Sequence, residues 1–214
     1  MLIIIYIINL MNILNKKYFN KIIDANPNIY YSYTTIDNLV VLHIYNPNNE
    51  TFKLSQDNRN FYEKLANMYY SISDNSDNGC FNLEHKLVND TPYLTIEDVL
   101  KSNLSNTYTF ILIDIVNDIT PLSMLGISEN IMWGLCSNFI FRNKGYMTKL
   151  LLHVLKLIYN KKLKDKTLEI NKLKLKIVSI NPNKNKLIKY YNKFGFKINN
   201  DTLNESYLEM NLII

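Results

Sequence analysis

Glycine is scarce in this chain of 214 residues: there are five, with five prolines, two cysteines and one tryptophan. That composition excludes collagen-like repeats and glycine- and proline-rich low-complexity segments. Cys80 and Cys136 form no C-x-x-C pair, and no second thiol-rich segment accompanies them. Neither a disulfide framework nor a zinc site is therefore indicated, and a reducing, intracellular, cytoplasmic setting is expected. Long apolar runs are lacking too. The start, "MLIIIYIINLMNILNKKYF", is interrupted at Asn9, too early to span a bilayer. It also lacks a basic n-region and a small-residue cleavage site. It is expected to be a buried strand or helix, with no membrane partner. Nor is there strong charge: the net +5 comes without interleaved basic and aromatic residues, so no nucleic-acid partner is expected.

What is present is ordinary for a folded protein, with 47% apolar and 20% charged residues, so the abundant Asn, Ile, Lys and Tyr do not imply disorder. The length predicts one domain, 38–214, carrying an N-terminal extension, 1–37, packed upon it. "NLVVLHIY" (38–45) reads as a strand stopped by the turn-forming "NPNNE". Phe61, Leu65, Met68, Tyr69 and Ile72 recur at helical spacing in 58–73. After the polar stretch 74–94, Thr95 and Asp98 start a short second helix in the manner of a capping box.

"TYTFILIDIV" (107–116) predicts a strand, "ND" (117–118) a turn, and "ITPLSMLGI" (119–127) an antiparallel partner. A third strand should run to about Phe141. From Met147 leucines fill a helix whose narrow polar stripe holds Lys149, His153, Lys156 and Asn160. "LKLKIVSI" (173–180) alternates as a strand, "NKNKLIKYYNKF" (183–194) has a helical apolar face, and "SYLEMNLI" (206–213) alternates again. This order predicts an α/β sandwich with helices on both faces of a mixed sheet.

Gly145, in "RNKGYM", stands between the third strand and the helix that follows. Such a turn presents backbone N–H groups at the positive end of a helix dipole, which suits phosphate. Glycine lets the backbone approach the oxygens, Arg142 and Lys144 add charge, and Thr148 adds a hydroxyl.

"LCSNFIFRNKGYMTKLL" resembles the acetyl-CoA motif of the GCN5-related N-acetyltransferases, the GNAT superfamily: a strand, then R/Q-x-x-G-x-G/A, then a helix. "LKLKIVSINPNKNKLIKYYNKFGFKI" (173–198) resembles the family's downstream signature, a strand and a helix ending in Leu-Tyr-x-x-x-Gly-Phe. The resemblance implies a mostly antiparallel central sheet and acetyl-CoA as co-substrate; no metal-ligand spacing links His43, His85 and His153, so no metal is expected. The resemblance gives the backbone of Leu135, Cys136 and Ser137 to the pantetheine arm, and Arg142, Asn143, Lys144, Gly145, Tyr146, Met147 and Thr148 to the pyrophosphate. Met147 departs from the small residue usual there. The family's Asn at the next helix falls on Lys184, bracketed by Asn183 and Asn185, between which the sequence does not choose.

The implied reaction is direct attack of a neutral primary amine on the thioester in a ternary complex. Tyr191 would protonate the leaving thiolate, a phenol of pKa about 10 serving a thiol of about 8.5. For the base the family often uses a carboxylate on the strand before the phosphate loop, or a water chain. Apolar Ile131 occupies one common position for it, and Glu129, two residues earlier, would share that face if the pleat were regular. Asp114 is a weaker candidate for binding the amine. The resemblance leaves the acceptor open among small-molecule and peptide amines, with a small molecule favoured, a homodimer open, and 58–104 and 199–207 as its expected binding elements. Segment 74–94 has the length of a lid. The alternatives are a coenzyme A-binding module with impaired turnover, which Met147 would motivate, or a protein acetyltransferase acting on N-termini or lysines.

Overall fold

The computed structural model describes residues 26, 28–48, 50, 53, 63–65, 68, 107–115, 119–160, 163, 170–178, 181–200 and 207–214. These form β1 (Tyr30–Ile36), β2 (Leu39–Tyr45), β3 (Tyr108–Asp114), β4 (Thr120–Ser128), β5 (Ile131–Ser137), α1 (Tyr146–Tyr159), β6 (Lys172–Val178), α2 (Lys184–Asn192), β7 (Lys197–Ile198) and β8 (Tyr207–Ile213). The expected apolar start, most of the 58–73 helix, the 95–104 helix, the 117–118 turn and the 74–94 loop lie outside the described residues.

The strands join in one sheet ordered β1-β2-β3-β4-β5-β6-β8-β7. Neighbours pair antiparallel except β5 and β6, which run parallel. This is the mixed, mostly antiparallel sheet that the two motifs implied. β1, inside the expected extension 1–37, is an edge strand in continuous register with β2, from Tyr30↔Tyr45 to Ile36↔Leu39. Its sequence "YYSYTTI" alternates between exposed and half-buried positions, as an edge strand with one wet face does.

β2, β3 and β4 are buried along most of their length, and their apolar runs reflect cover on both faces. On one face Leu39, Val41, Phe110, Leu112, Leu122, Leu125 and Ile127 share a core with Leu150, Leu151, Val154 and Ile158 of α1 and with Tyr191 and Phe196. The alternate residues Val40, Leu42, Ile44, Ile111, Ile113 and Met124 are buried on the other face. There the Sγ of Cys136 lies 3.2 Å from the carbonyl oxygen of Met68, and residues 63–65 and 68 are helical. Cys136 is disulfide-bonded, where the sequence indicated no disulfide framework. Among the described residues no helix is long and apolar enough to cross a membrane.

Two local features differ from the sequence reading. The third strand stops at Ser137 and not near Phe141, because Asn138 diverts the chain. Its side chain accepts from the N–H of Ile140 at 3.2 Å and donates to the Pro121 carbonyl at 3.0 Å, fixing a 3-10 turn over Phe139–Phe141. His153, read as solvated, is half-buried and meets His43 and Thr34. Burial and the neighbouring His153 hold His43 down at about 4, and burial with Lys156 lowers His153.

After α2 the chain turns back sharply. Phe196 donates to the Tyr191 carbonyl at 3.3 Å and Gly195 to that of Asn192 at 3.1 Å. Gly195 has φ +90°, and an added Cβ would lie 3.1 Å from Leu212 Cδ1. Gly195→Ala is expected to destabilise the fold by about 1–2 kcal/mol, the cost of a left-handed conformation in a residue with a Cβ. Urea unfolding measures it; an unchanged midpoint and slope would contradict this account of the turn.

Candidate acetyl-coenzyme A site

The site is built where β5 and β6 part. Their parallel pairing is confined to Ile131↔Lys174 and Met132↔Leu175, after which the two strands part, β5 still paired with β4 and β6 with β8. A bulge reinforces the divergence: the register of β4 against β5 shifts between Met124 and Gly126, and facing it Gly134 has φ +57°. Glycine inside an otherwise apolar strand is the sequence signal for such a bulge, and the motif reading passed over it. Beyond it lie Leu135, Cys136 and Ser137, the residues assigned to the pantetheine arm. Leu135 packs against the core, Cys136 is buried, and Ser137 Oγ lies 3.2 Å from Ser123 Oγ.

From the Asn138 turn the chain enters the glycine loop. Asn143 and Gly145 both have positive φ, +64° and +78°, a conformation open to Gly and tolerated by Asn. Arg142 is half-buried, and Asn143, Lys144 and Gly145 are exposed. Lys144 Nζ stands 5.2 Å from the centre of the Phe141 ring. Gly145 is the N-cap of α1 and supplies no side chain to its first turn, which carries no acidic residue. The first N–H groups of a helix have no intrahelical acceptor, so this end offers donors and a positive dipole to an anion. A Cβ on Gly145 would meet no atom within 4 Å: the space in front of the loop is open.

Met147 does not obstruct that space, for it packs with Tyr146 against the core. The departure from a small residue is thus absorbed inward. Thr148 Oγ1 lies 3.2 Å from the hydroxyl of Tyr190, tying the start of α1 to α2. Tyr191 is the next residue of α2. Its ring stands 5.1 Å from that of Tyr190 and 6.2 Å from that of Phe196. Only 8% of Tyr191 is exposed, and burial, then Tyr190, raises its phenol well above the usual range. It stays protonated at any working pH.

Asn183 is the N-cap of α2, its N–H donating to Asn181 Oδ1 at 2.8 Å, and Asn185 lies in the first turn. Both are exposed. Glu129 falls outside β5: it occupies the turn between Ser128 and Ile131 with φ +55°, exposed. The pleat that would carry it onto the face of Ile131 does not reach it. The register Ser123↔Ser137 and Thr120↔Asp114 places Asp114 at the end of the sheet from which the glycine loop departs, and Glu129 at the opposite end.

With this geometry the chain resembles several solved structures. An acyl-CoA N-acyltransferase from Pseudomonas aeruginosa aligns with 14% identity and a TM-score of 0.47, over 81% of this chain and 99% of that one. The ribosomal-protein-S5-alanine acetyltransferase from Vibrio fischeri aligns with 12% identity and a TM-score of 0.47, over 85% and 96%. N-acetylglutamate synthase from Neisseria gonorrhoeae, complexed with coenzyme A and L-arginine, gives 13% identity and a TM-score of 0.36, over 62% and 29%. No protein-family model matches the chain. No curated protein matches it either.

Proposed function

We propose that this chain transfers the acetyl group of acetyl-CoA to a primary amine, small-molecule amines being the first acceptors to test. The observation that carries the proposal is the conjunction of the β5–β6 divergence with an open, left-handed glycine loop at one side and a buried, protonated Tyr191 at the other. Bound acetyl-CoA supplies the activated thioester. Around it Arg142 through Thr148 hold the pyrophosphate by backbone N–H groups and two cations. Leu135–Ser137 align the pantetheine arm as an added strand would be aligned. Tyr191 delivers a proton to the departing sulfur and is reprotonated from solvent, which takes up the proton that the acylated amine loses. Much of the rate then comes from holding thioester and amine together.

The test is amine-dependent thiol release from acetyl-CoA by the full-length chain across polyamines, aminoglycosides, amino sugars and peptide amines. Release that tracks one class of amine supports the proposal. Tight coenzyme A binding without release for any amine would replace it with a binding module.

The state of Tyr191 also sets a pH profile. A phenol raised above its ordinary value keeps its proton until pH exceeds that raised value, so kcat/KM should climb as the amine deprotonates, with no descending limb below about pH 10. A descending limb between pH 8 and 9, absent from Tyr191→Phe, would contradict the assignment.

A further inference from the structure

Away from the acetyl-CoA site, three side chains from three elements converge. Thr34 lies on β1, His43 on β2 and His153 on α1. Thr34 Oγ1 is 3.3 Å from His43 Nε2 and 3.1 Å from His153 Nε2, and the two Nε2 atoms are 3.3 Å apart. Three close contacts would need a proton in each, and the groups cannot provide them. A neutral imidazole nitrogen that carries a proton cannot accept, and its N–H points in one direction only. If both Nε2 atoms are protonated, the nitrogen–nitrogen contact sets hydrogen against hydrogen. If one is, it serves a single partner well while the Thr34 hydroxyl serves the other nitrogen. At most two of the three contacts can be good hydrogen bonds.

A cation satisfies all three. Donors at about 2.0–2.1 Å from a tetrahedral zinc ion stand about 3.3–3.4 Å from one another, which matches two edges of this triangle and comes within a few tenths of an ångström of the third. We infer that Thr34, His43 and His153 form a zinc(II) site that clips the edge strand β1 to β2 and α1. Two imidazole nitrogens suit zinc better than calcium or magnesium, with the Thr34 hydroxyl as the weaker third donor. All three residues are half-buried, so water can enter and fill a fourth position. His43 is held in place by the Phe110 ring, edge-on at 5.0 Å. Among the described residues no carboxylate or thiol joins the cluster into a larger metal-ligating group. The charged neighbours on α1 are Lys149, which pairs with Asp37, and Lys156. Both lysines oppose a cation, so the site should bind zinc with moderate affinity and release it to chelators.

The experiment uses the full-length chain freed of metal by a chelator and titrated with zinc chloride against a chromophoric competitor. The expected result is one zinc per chain and a raised melting temperature on loading. His153→Gln, on a half-exposed helix position, should retain the fold and weaken zinc at least about tenfold. Thr34→Val, which keeps the side-chain shape, should weaken it by a smaller factor. No binding by the native chain, or affinity in His153→Gln within about threefold of native, would overturn the site, the latter because the metal would then be held elsewhere.

Discussion

Tyr191→Phe is expected to lower kcat for acetyl transfer about a hundredfold or more, the range in which a positioned proton donor works, with the KM for acetyl-CoA little changed. The ring survives the substitution, and with it the contacts to Tyr190 and Phe196 and the place of this residue in the core. What is lost is one hydroxyl. Unfolding should therefore shift by less than about 1 kcal/mol, within the range of a single hydrogen-bonding group. Tyr190→Phe is the control, since it removes only the partner of Thr148 Oγ1 and should leave kcat within about threefold of native. A kcat in Tyr191→Phe equal to that in Tyr190→Phe would remove Tyr191 from the chemistry.

Gly145→Glu is expected to weaken acetyl-CoA binding at least tenfold. Two effects combine. The side chain would fill a space that is empty, with no atom within 4 Å of the new Cβ. Its carboxylate would face the pyrophosphate, and like charges 4 Å apart repel by about 4 kcal/mol at an effective dielectric of 20. Solvent and salt reduce that at an exposed loop, yet about 1.4 kcal/mol already amounts to tenfold. Because φ is +78°, any side chain there adds about 1–2 kcal/mol of backbone strain. Gly145→Ala carries the strain without the charge and should retain most of the affinity that Gly145→Glu loses. Equal affinity in Gly145→Glu and the native chain, measured by calorimetry on folded protein, would refute the phosphate role.

The elements carrying the site were legible because their signals are local. β3, β4, β6 and β8 are apolar or alternating runs that mark themselves, and α1 repeats its buried positions at helical spacing. Gly145 announced the turn. What escaped depends on contacts between distant segments or on departures from regular geometry. β1 has few apolar residues and becomes a strand by pairing with β2. Glu129 seemed to share a face with Ile131 only while the pleat was assumed to continue, and the turn ends it. Met147 looked like an obstruction, but the first turn of α1 directs it against the core. His43 and His153 are separated by 110 residues, so no spacing rule links them. Only the packing of α1 on the sheet does.

The most direct test of the central claim follows the acetyl group itself. Acetyl-CoA labelled in the acetyl carbons is incubated with the chain and a panel of primary amines, and the amines are examined by mass spectrometry. Label on the nitrogen of at least one amine, dependent on the chain and lost in Tyr191→Phe, is the predicted result. Coenzyme A bound at the glycine loop with every amine returned unlabelled would contradict it.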